Sequence, residues 1–345
     1  TFFVALVLII GIVIIFDISE KIDDFVEKEA PLRAIIFDYY LNFVPYFMNM
    51  FSPLFVFITV IFFTSKMAAD SEIIAILSGG VSFHRMMMPY IFSATLIAIL
   101  SLWLNLFVIP DANKTRVAFE DQYFKTKTKS LGRNVHYQIA PGEFAYAESF
   151  SSWNNTAYRF TLERIEDHRL VSKISAETAV YDTTRGCWRL KKYFIRDYNE
   201  DLTDNIRSGR QLDTIIPLTV QDFFVNEKTV QTLDYHELNE LIEVQKMRGD
   251  ANVKMAMIEQ NTRFALPFSA FILTIMGVAL SSKKRRGGIG WNIGIGIALA
   301  FTYILFLKFS QMFVHAGALP PFIALWIPNI VFAIIAAFLY RIAPK

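Results

Sequence analysis

The chain is broken up by six segments too apolar for water and long enough, or nearly so, to cross a bilayer: 2–16, 45–63, 89–108, 264–280, 289–307 and 322–340. About 20 apolar residues span the hydrocarbon at the helical rise of about 1.5 Å per residue. Backbone groups in lipid must bond within their own segment, so these stretches are expected to be helices rather than open strands. The first is short. The chain opens at Thr1 inside an apolar run, which reads as a first span without its natural beginning, a removed signal peptide being the other reading. Composition agrees: charged residues make up 19% and phenylalanine alone numbers 33, where a soluble domain runs to about a quarter charged.

Basic residues in the short loops set the orientation. Lys283, Lys284, Arg285 and Arg286 lie between the fourth and fifth spans, Lys66, His84 and Arg85 between the second and third, and Arg341 and Lys345 in the tail. Six spans place all of these on one side, expected to be cytoplasmic. The opposite loop, 310–321, contains no Lys or Arg. The basic run at 283–286 serves as a topology anchor or a binding element.

Between the third and fourth spans the composition turns polar and alternating. Strand signals cover 135–150, broken at Pro141-Gly142, then 158–165, 173–181, 187–198 and 212–220, with a hairpin signal at 182–186. Many short strands with regular turns indicate an all-β, jelly-roll-like module. After it, 234–246 changes to helical spacing, with Asp234 as cap and Gly249 as stop. The expected organisation is residues 1–110 with three spans and a cytoplasmic helical segment at about 66–86, residues 111–262 as an exported β domain ending in a helical connection, and residues 263–345 with three more spans.

The loop 65–85 is the most informative stretch. Asp70 or Ser71 can cap a short helix, Glu72 suits its first turn, and Ile73, Ile74, Ile76 and Leu77 give it an apolar face. Gly79 and Gly80 end it and Ser82 begins the next helix. Such a helix either lies on the membrane surface or inserts into a groove on a partner.

This stretch, Ser71-Glu72-Ile-Ile-Ala-Ile-Leu-Ser78-Gly79 followed by Ser82, resembles the coupling segment of the LptF/LptG family of lipopolysaccharide-export permeases. Val108-Ile-Pro110, Trp188-Arg189-Leu190, Leu266-Pro267 and Pro320-Pro321 follow in the family's order. The resemblance implies an inner-membrane subunit paired with a paralogous permease, driven by a dimeric cytoplasmic ABC ATPase that binds the ATP and Mg. The pair would extract lipopolysaccharide from the membrane lipid and pass it to a periplasmic jelly-roll bridge. By the same match Glu72, Ile73, Ile76 and Leu77 dock in the ATPase, and Gly79 permits close backbone approach.

Anionic lipid head groups pair with Lys and Arg. Lys308, late in the fifth span, either faces the substrate or snorkels to the interface. Lys21, Lys28 and Arg33 after the first span, and Arg263 at the start of the fourth, are placed to ring a cavity mouth. The family carries more lysine after the first span; here Asp17, Glu20, Asp23 and Asp24 surround Lys21. A divalent-cation bridge, a substrate with fewer phosphates, or the other paralogue's role are the open readings.

Other chemistry is poorly represented. No Gly-x-x-x-x-Gly-Lys-Ser/Thr loop occurs, so the chain is not the ATPase itself. No two of the five histidines stand at metal-ligand spacing and no catalytic constellation is present. Cys187 is the only cysteine, and the net charge of +2 with scattered basic residues argues against nucleic acid. Gly290 and Gly294, extended by Gly296, form a small-residue pair expected to pack against another helix. The rival functions are another ABC-type lipid or lipoprotein exporter, and a membrane scaffold or sensor whose β domain only binds partners.

Overall fold

A computed structural model of the chain describes residues 2–124, 133–151, 154–199, 203–220, 227–250, 252–283 and 288–343. Lys284, Arg285 and Arg286 of the basic run lie outside them. The chain forms two compact units, a helical one (Thr1–Lys125, Gln231–Leu238, Lys254–Lys345) and a β one (Thr126–Val230, Asn239–Val253).

Among the described residues six helices are long and apolar enough to cross a membrane: α1 (Phe2–Glu27), α2 (Leu32–Ala69), α4 (Phe83–Tyr123), α7 (Val253–Ser281), α8 (Gly288–His315) and α9 (Pro321–Ile342). The chain is a multi-pass membrane protein. Three spans precede the β strands and three follow. Between them stand the short helices α3 (Glu72–Ser78), α5 (Glu227–Thr232) and α6 (Tyr235–Arg248).

Several helices outrun the apolar segments that announce them. Hydropathy reports lipid contact, and a helix that leaves the membrane keeps its backbone pattern while its side chains turn polar. So α1 continues to Glu27, where Glu29 adopts a left-handed φ of 50° and Ala30 N–H closes back on Phe25 O at 2.9 Å. Likewise α4 runs on through Pro110 to Tyr123. Two π-helical stretches interrupt the long helices, Ile35–Tyr40 in α2 and Leu104–Val108 in α4. Each extra residue rotates the helix beyond it, and such bulges are often found at functional sites.

In hydrocarbon, helix association rests on close packing and polar ties rather than on a hydrophobic drive. The central cluster joins Phe57 and Ile61 of α2 to Leu273 and Met276 of α7, Tyr303 of α8 and Phe332 of α9. Close approach is made by Gly277, where a Cβ would stand 2.9 Å from Val60 Cγ1, and by Gly296, where it would stand 2.2 Å from Ile61 Cδ1. A Cβ on Gly290 or Gly294 would meet nothing within 4 Å, so Gly296 alone of the expected glycine motif packs within this chain. Helix α1 is the least enclosed span, with Phe3, Val7, Leu8, Ile15 and Phe16 all exposed.

The β unit is a single antiparallel sheet in the order β1 (Arg133–Ala140), β2 (Glu143–Ser151), β3 (Thr156–Glu166), β4 (Arg169–Asp182), β5 (Cys187–Tyr198) and β6 (Asp204–Thr214). Among the described residues every connection joins neighbours. Gly142 turns β1 into β2 at φ +78°, and a Cβ there would lie 2.5 Å from Ile165 O. Asp167 and His168, both at positive φ, make the two-residue loop between β3 and β4, as the right-handed twist of a hairpin demands. At the next turn the Asp182 carboxylate accepts from the Thr184 hydroxyl and from the N–H groups of Thr184 and Arg185. These bonds, the hydroxyl's first, hold its pKa below the usual value.

The last strand corrects the sequence expectation of 212–220. It begins at Asp204 and ends at Thr214. Pro217 has no N–H for a ladder, and β6 is an exposed edge whose residues lack apolar alternation. Beyond it, Ile216 and Leu218 fold over the apolar face of the sheet and join Phe150, Phe160, Trp188 and Leu190. Trp188 Nε1–H donates to Leu218 O at 2.7 Å, which satisfies the buried indole.

Candidate functional site

Helix α3 leaves α2 through Asp70 and a left-handed Ser71 (φ 63°), which stands at the N-cap position without a side-chain cap bond. Its Glu72 lies in the first turn, favourable to the helix dipole. Gly79 closes the helix, its N–H on Ala75 O at 3.0 Å, and Gly80 follows at φ +84°. Ser82 then caps α4 by accepting from Arg85 N–H at 3.3 Å.

The seven residues divide by face. Ile73, 1% exposed, sits among Ala68 of α2, Phe83 and Met86 of α4 and Val278 of α7. It is a packing residue of the chain. Ile76 and Leu77 are half-buried against the same cluster, whereas Glu72, Ile74 and Ala75 are exposed. A load applied to the outer face of α3 therefore bears directly on the ends of α2, α4 and α7.

Four of the five cations named from the sequence also separate. Lys21 is half-buried and tied down: its ammonium pairs with Asp17 at 2.6 Å, bonds the Tyr39 hydroxyl, and lies 4.9 and 5.0 Å from the ring centres of Tyr39 and Phe124. Asp17 also accepts from Tyr40 OH at 3.1 Å. The π-helical stretch of α2 aims both tyrosines at α1. Arg263 is 3% exposed, enclosed rather than placed at a rim; its Nε contacts Glu259 at 2.9 Å and one terminal nitrogen donates to Leu233 O at 2.9 Å. Arg33 and Lys308 are exposed on α2 and α8. Among the described residues no three His, Cys, Asp or Glu side chains converge as a metal site.

Six membrane-crossing helices in two triplets, a β module inserted between them, and a short two-faced helix packed on the span ends form one combination. The sequence matches, over residues 1–342, the family model described as lipopolysaccharide export system permease LptF/LptG. The chain belongs to this family. No curated protein matches the sequence. As an LptF/LptG permease the chain is a transport protein of the membrane.

One set of residues in this permease escaped the sequence reading. Within the bundle Ser101 OH donates to Asn49 Oδ1 at 2.6 Å, Asn49 Nδ2 donates to Asn105 Oδ1 at 2.7 Å, and Asn105 Nδ2 donates to Arg263 O at 3.3 Å. Asn329 Nδ2 donates to Ala265 O at 2.8 Å, while its Oδ1 accepts from Tyr303 OH at 2.8 Å. All four amide and hydroxyl side chains at 49, 101, 105 and 329 are buried. Two amides thus brace the main chain of α7 just before Pro267. Lone polar residues in apolar runs were the available signal.

Proposed function

We propose that this chain is one permease half of an ATP-driven exporter that draws lipopolysaccharide from the inner membrane and hands it to a periplasmic jelly-roll bridge. The family match along the whole chain carries this reading. A paralogous permease completes the enclosure, and a dimeric cytoplasmic ABC ATPase, which binds ATP and Mg, supplies the work.

The side-chain arrangement supports a route for that work. The ATPase groove receives the outer face of α3, with Glu72, Ile74 and the outer edges of Ile76 and Leu77 in contact. Ile73 passes the displacement to the ends of α2, α4 and α7. These helices yield where they are already irregular, at the two π-helical stretches and at Pro267, with the buried amides keeping the freed carbonyls bonded. Arg33 and Lys308 face the anionic head group, and Lys21 and Arg263 fix the helices that carry it. The β module lies in the periplasm. Its interior is filled by Phe160, Trp188 and Leu218 in this state, so acyl chains enter only when that core parts.

The test is to isolate the complex through a tag on this chain and identify its proteins and retained lipid by mass spectrometry. Lipopolysaccharide with an ABC ATPase and a second permease is the expected content. Bulk phospholipid alone in a complex that retains its ATPase would overturn the substrate. Protease applied to intact spheroplasts should cut the β module.

A further inference from the structure

The β sheet has a second face, turned away from the core of Phe160 and Trp188. Two adjacent rows of cross-strand partners meet there. One row is His136, Tyr146 and Thr161; the other is Phe144, Glu163 and Lys173. Together they line a depression of about 230 Å³. The His136 and Tyr146 rings are 4.4 Å apart, and Tyr146 OH donates to Asn134 Oδ1 at 3.0 Å, which holds the phenol ring across the sheet. Phe144 stands at the margin, 38% exposed.

Charge narrows the choice of ligand. Lys173 and Glu163 pair at 2.7 Å, so the two oppositely charged groups among the described residues of the depression neutralise each other. A phosphate would meet the Glu163 carboxylate as well as the ammonium, and a cation would meet the reverse. A neutral ligand escapes both penalties. It must present apolar C–H surface to the rings and hydroxyls to the polar groups of both rows, where the Glu163 carboxylate accepts, the Lys173 ammonium donates, and Thr161 and His136 can do either. Aromatic walls with a few convergent polar groups are the usual make-up of a small-ligand site. A pyranose ring has this duality, one face of C–H bonds and a rim of hydroxyls.

We propose that this face of the β module binds a neutral sugar residue of the glycan carried by the exported lipid. The proposal rests on the export reading above, since it takes the cargo to be a glycolipid. The depression is open, so it seats one residue of a chain whose remainder stays in water. An affinity on the order of 1 mM suits so few contacts. A weak contact of this kind steadies the hydrophilic part of the cargo without holding it.

The experiment uses the full chain in nanodiscs and, as probe, the lipid-free oligosaccharide released from lipopolysaccharide by mild acid. Saturation-transfer NMR and titration should show saturable binding. Tyr146→Ala and Glu163→Gln should weaken it about tenfold, and Ile215→Ala, which trims an exposed apolar side chain beyond β6, should leave it unchanged. Glu163→Gln is a conservative change at a half-buried surface position, so it decides the matter if Tyr146→Ala does not fold. Absence of saturable binding, or equal binding by wild type and both variants, overturns the sugar site. Saturable competition by inorganic phosphate overturns its neutral character. Lipid retained by the same preparations is measured in parallel. Lipopolysaccharide retained without oligosaccharide binding sinks the sugar site alone, and oligosaccharide binding without retained lipopolysaccharide counts against the export reading alone.

Discussion

The side-chain amide of Asn105 donates to the main-chain carbonyl of Arg263 at 3.3 Å, the carbonyl that Pro267 leaves without its helical donor. Proline four residues on has no N–H to return, and a carbonyl orphaned in hydrocarbon costs several kcal/mol. Asn105→Leu should therefore lower thermal stability by about 1–2 kcal/mol, the scale of a polar tie between membrane helices. Restoring the donor should relieve the defect. In a Pro267→Ala background the same Asn105→Leu change should cost clearly less. A double-mutant cycle read by melting in detergent checks this; strict additivity would show that the two residues do not share one carbonyl.

Helix α3 offers a sharper contrast because its neighbours Ile73 and Ile74 have opposite surroundings, 1% and 56% exposed. Ile74→Asp should leave melting within about 0.5 kcal/mol of wild type and abolish co-purification of the ATPase. Ile73→Asp buries a carboxylate among Ala68, Phe83 and Val278, and should unfold the helical unit or cost several kcal/mol. If both variants lose the ATPase while melting normally, α3 is not packed as described.

The spans were legible because lipid leaves only one solution for a stretch of about 20 apolar residues. Strands β1 to β5 were legible because Pro141-Gly142, Asp167-His168 and Gly186 mark their turns. Strand β6 was not, since Ser208, Gly209 and Arg210 on an exposed edge carry no apolar alternation. The polar extensions of α1 and α4 escaped for the opposite reason: hydropathy falls where the apolar segment ends and says nothing of helix continuing. At α3 the period identified an apolar face, but Ile73 and Ile74 are adjacent, and only packing decides which of them turns inward. The cations show the same limit. Lys21 and Arg263 read as rim charges, yet their partners Tyr39, at 18 residues' separation, and Leu233 O, at 30, are set by tertiary structure.

Those cations predict two phenotypes. Arg33→Gln and Lys308→Gln remove exposed charges and should reduce retained lipopolysaccharide while leaving melting within about 0.5 kcal/mol of wild type. Arg263→Met leaves Glu259 and the Leu233 carbonyl without their enclosed partner and should cost about 3 kcal/mol or more. Lys21→Met should also lower the melting point, because Asp17 then faces Tyr39 and Tyr40 with no cation. Lipid content by mass spectrometry and melting by scanning fluorimetry separate the two groups. Normal melting of Arg263→Met would remove it from the structural set.

Asp234 gives a pH dependence of known sign. Its carboxylate accepts from the N–H groups of Glu237 and His236, each at 2.8 Å, and Glu237 returns the bond to Asp234 N–H at 2.9 Å. This is a reciprocal cap at the start of α6. The Glu237 N–H bond first, then that of His236, holds the Asp234 pKa below its usual value. The folded chain thus binds this proton less readily than the unfolded chain. The cap's contribution is complete above the ordinary carboxylate pKa of about 4 and is lost as pH falls through the lower folded value. Wild type should melt above Asp234→Ala near neutral pH, and the gap should close towards pH 2–3. A gap that widens on acidification contradicts the cap.

Gly296 sets the separation of α8 and α2. A methyl group built there would lie 2.2 Å from Ile61 Cδ1, the end of a side chain that is itself fully buried. Ile61 is fully buried and must shift to make room, so Gly296→Ala should cost about 1–3 kcal/mol by overpacking. Shortening the neighbour makes room, and Ile61→Val should recover part of that loss. At Gly290 a Cβ meets nothing. There the only term left is the backbone freedom of glycine in a helix, so Gly290→Ala should be neutral or stabilise by up to about 1 kcal/mol. Melting of the three variants decides whether the small-residue motif packs at its last glycine, as the contact geometry requires, or at its first two, as their spacing in the sequence suggests.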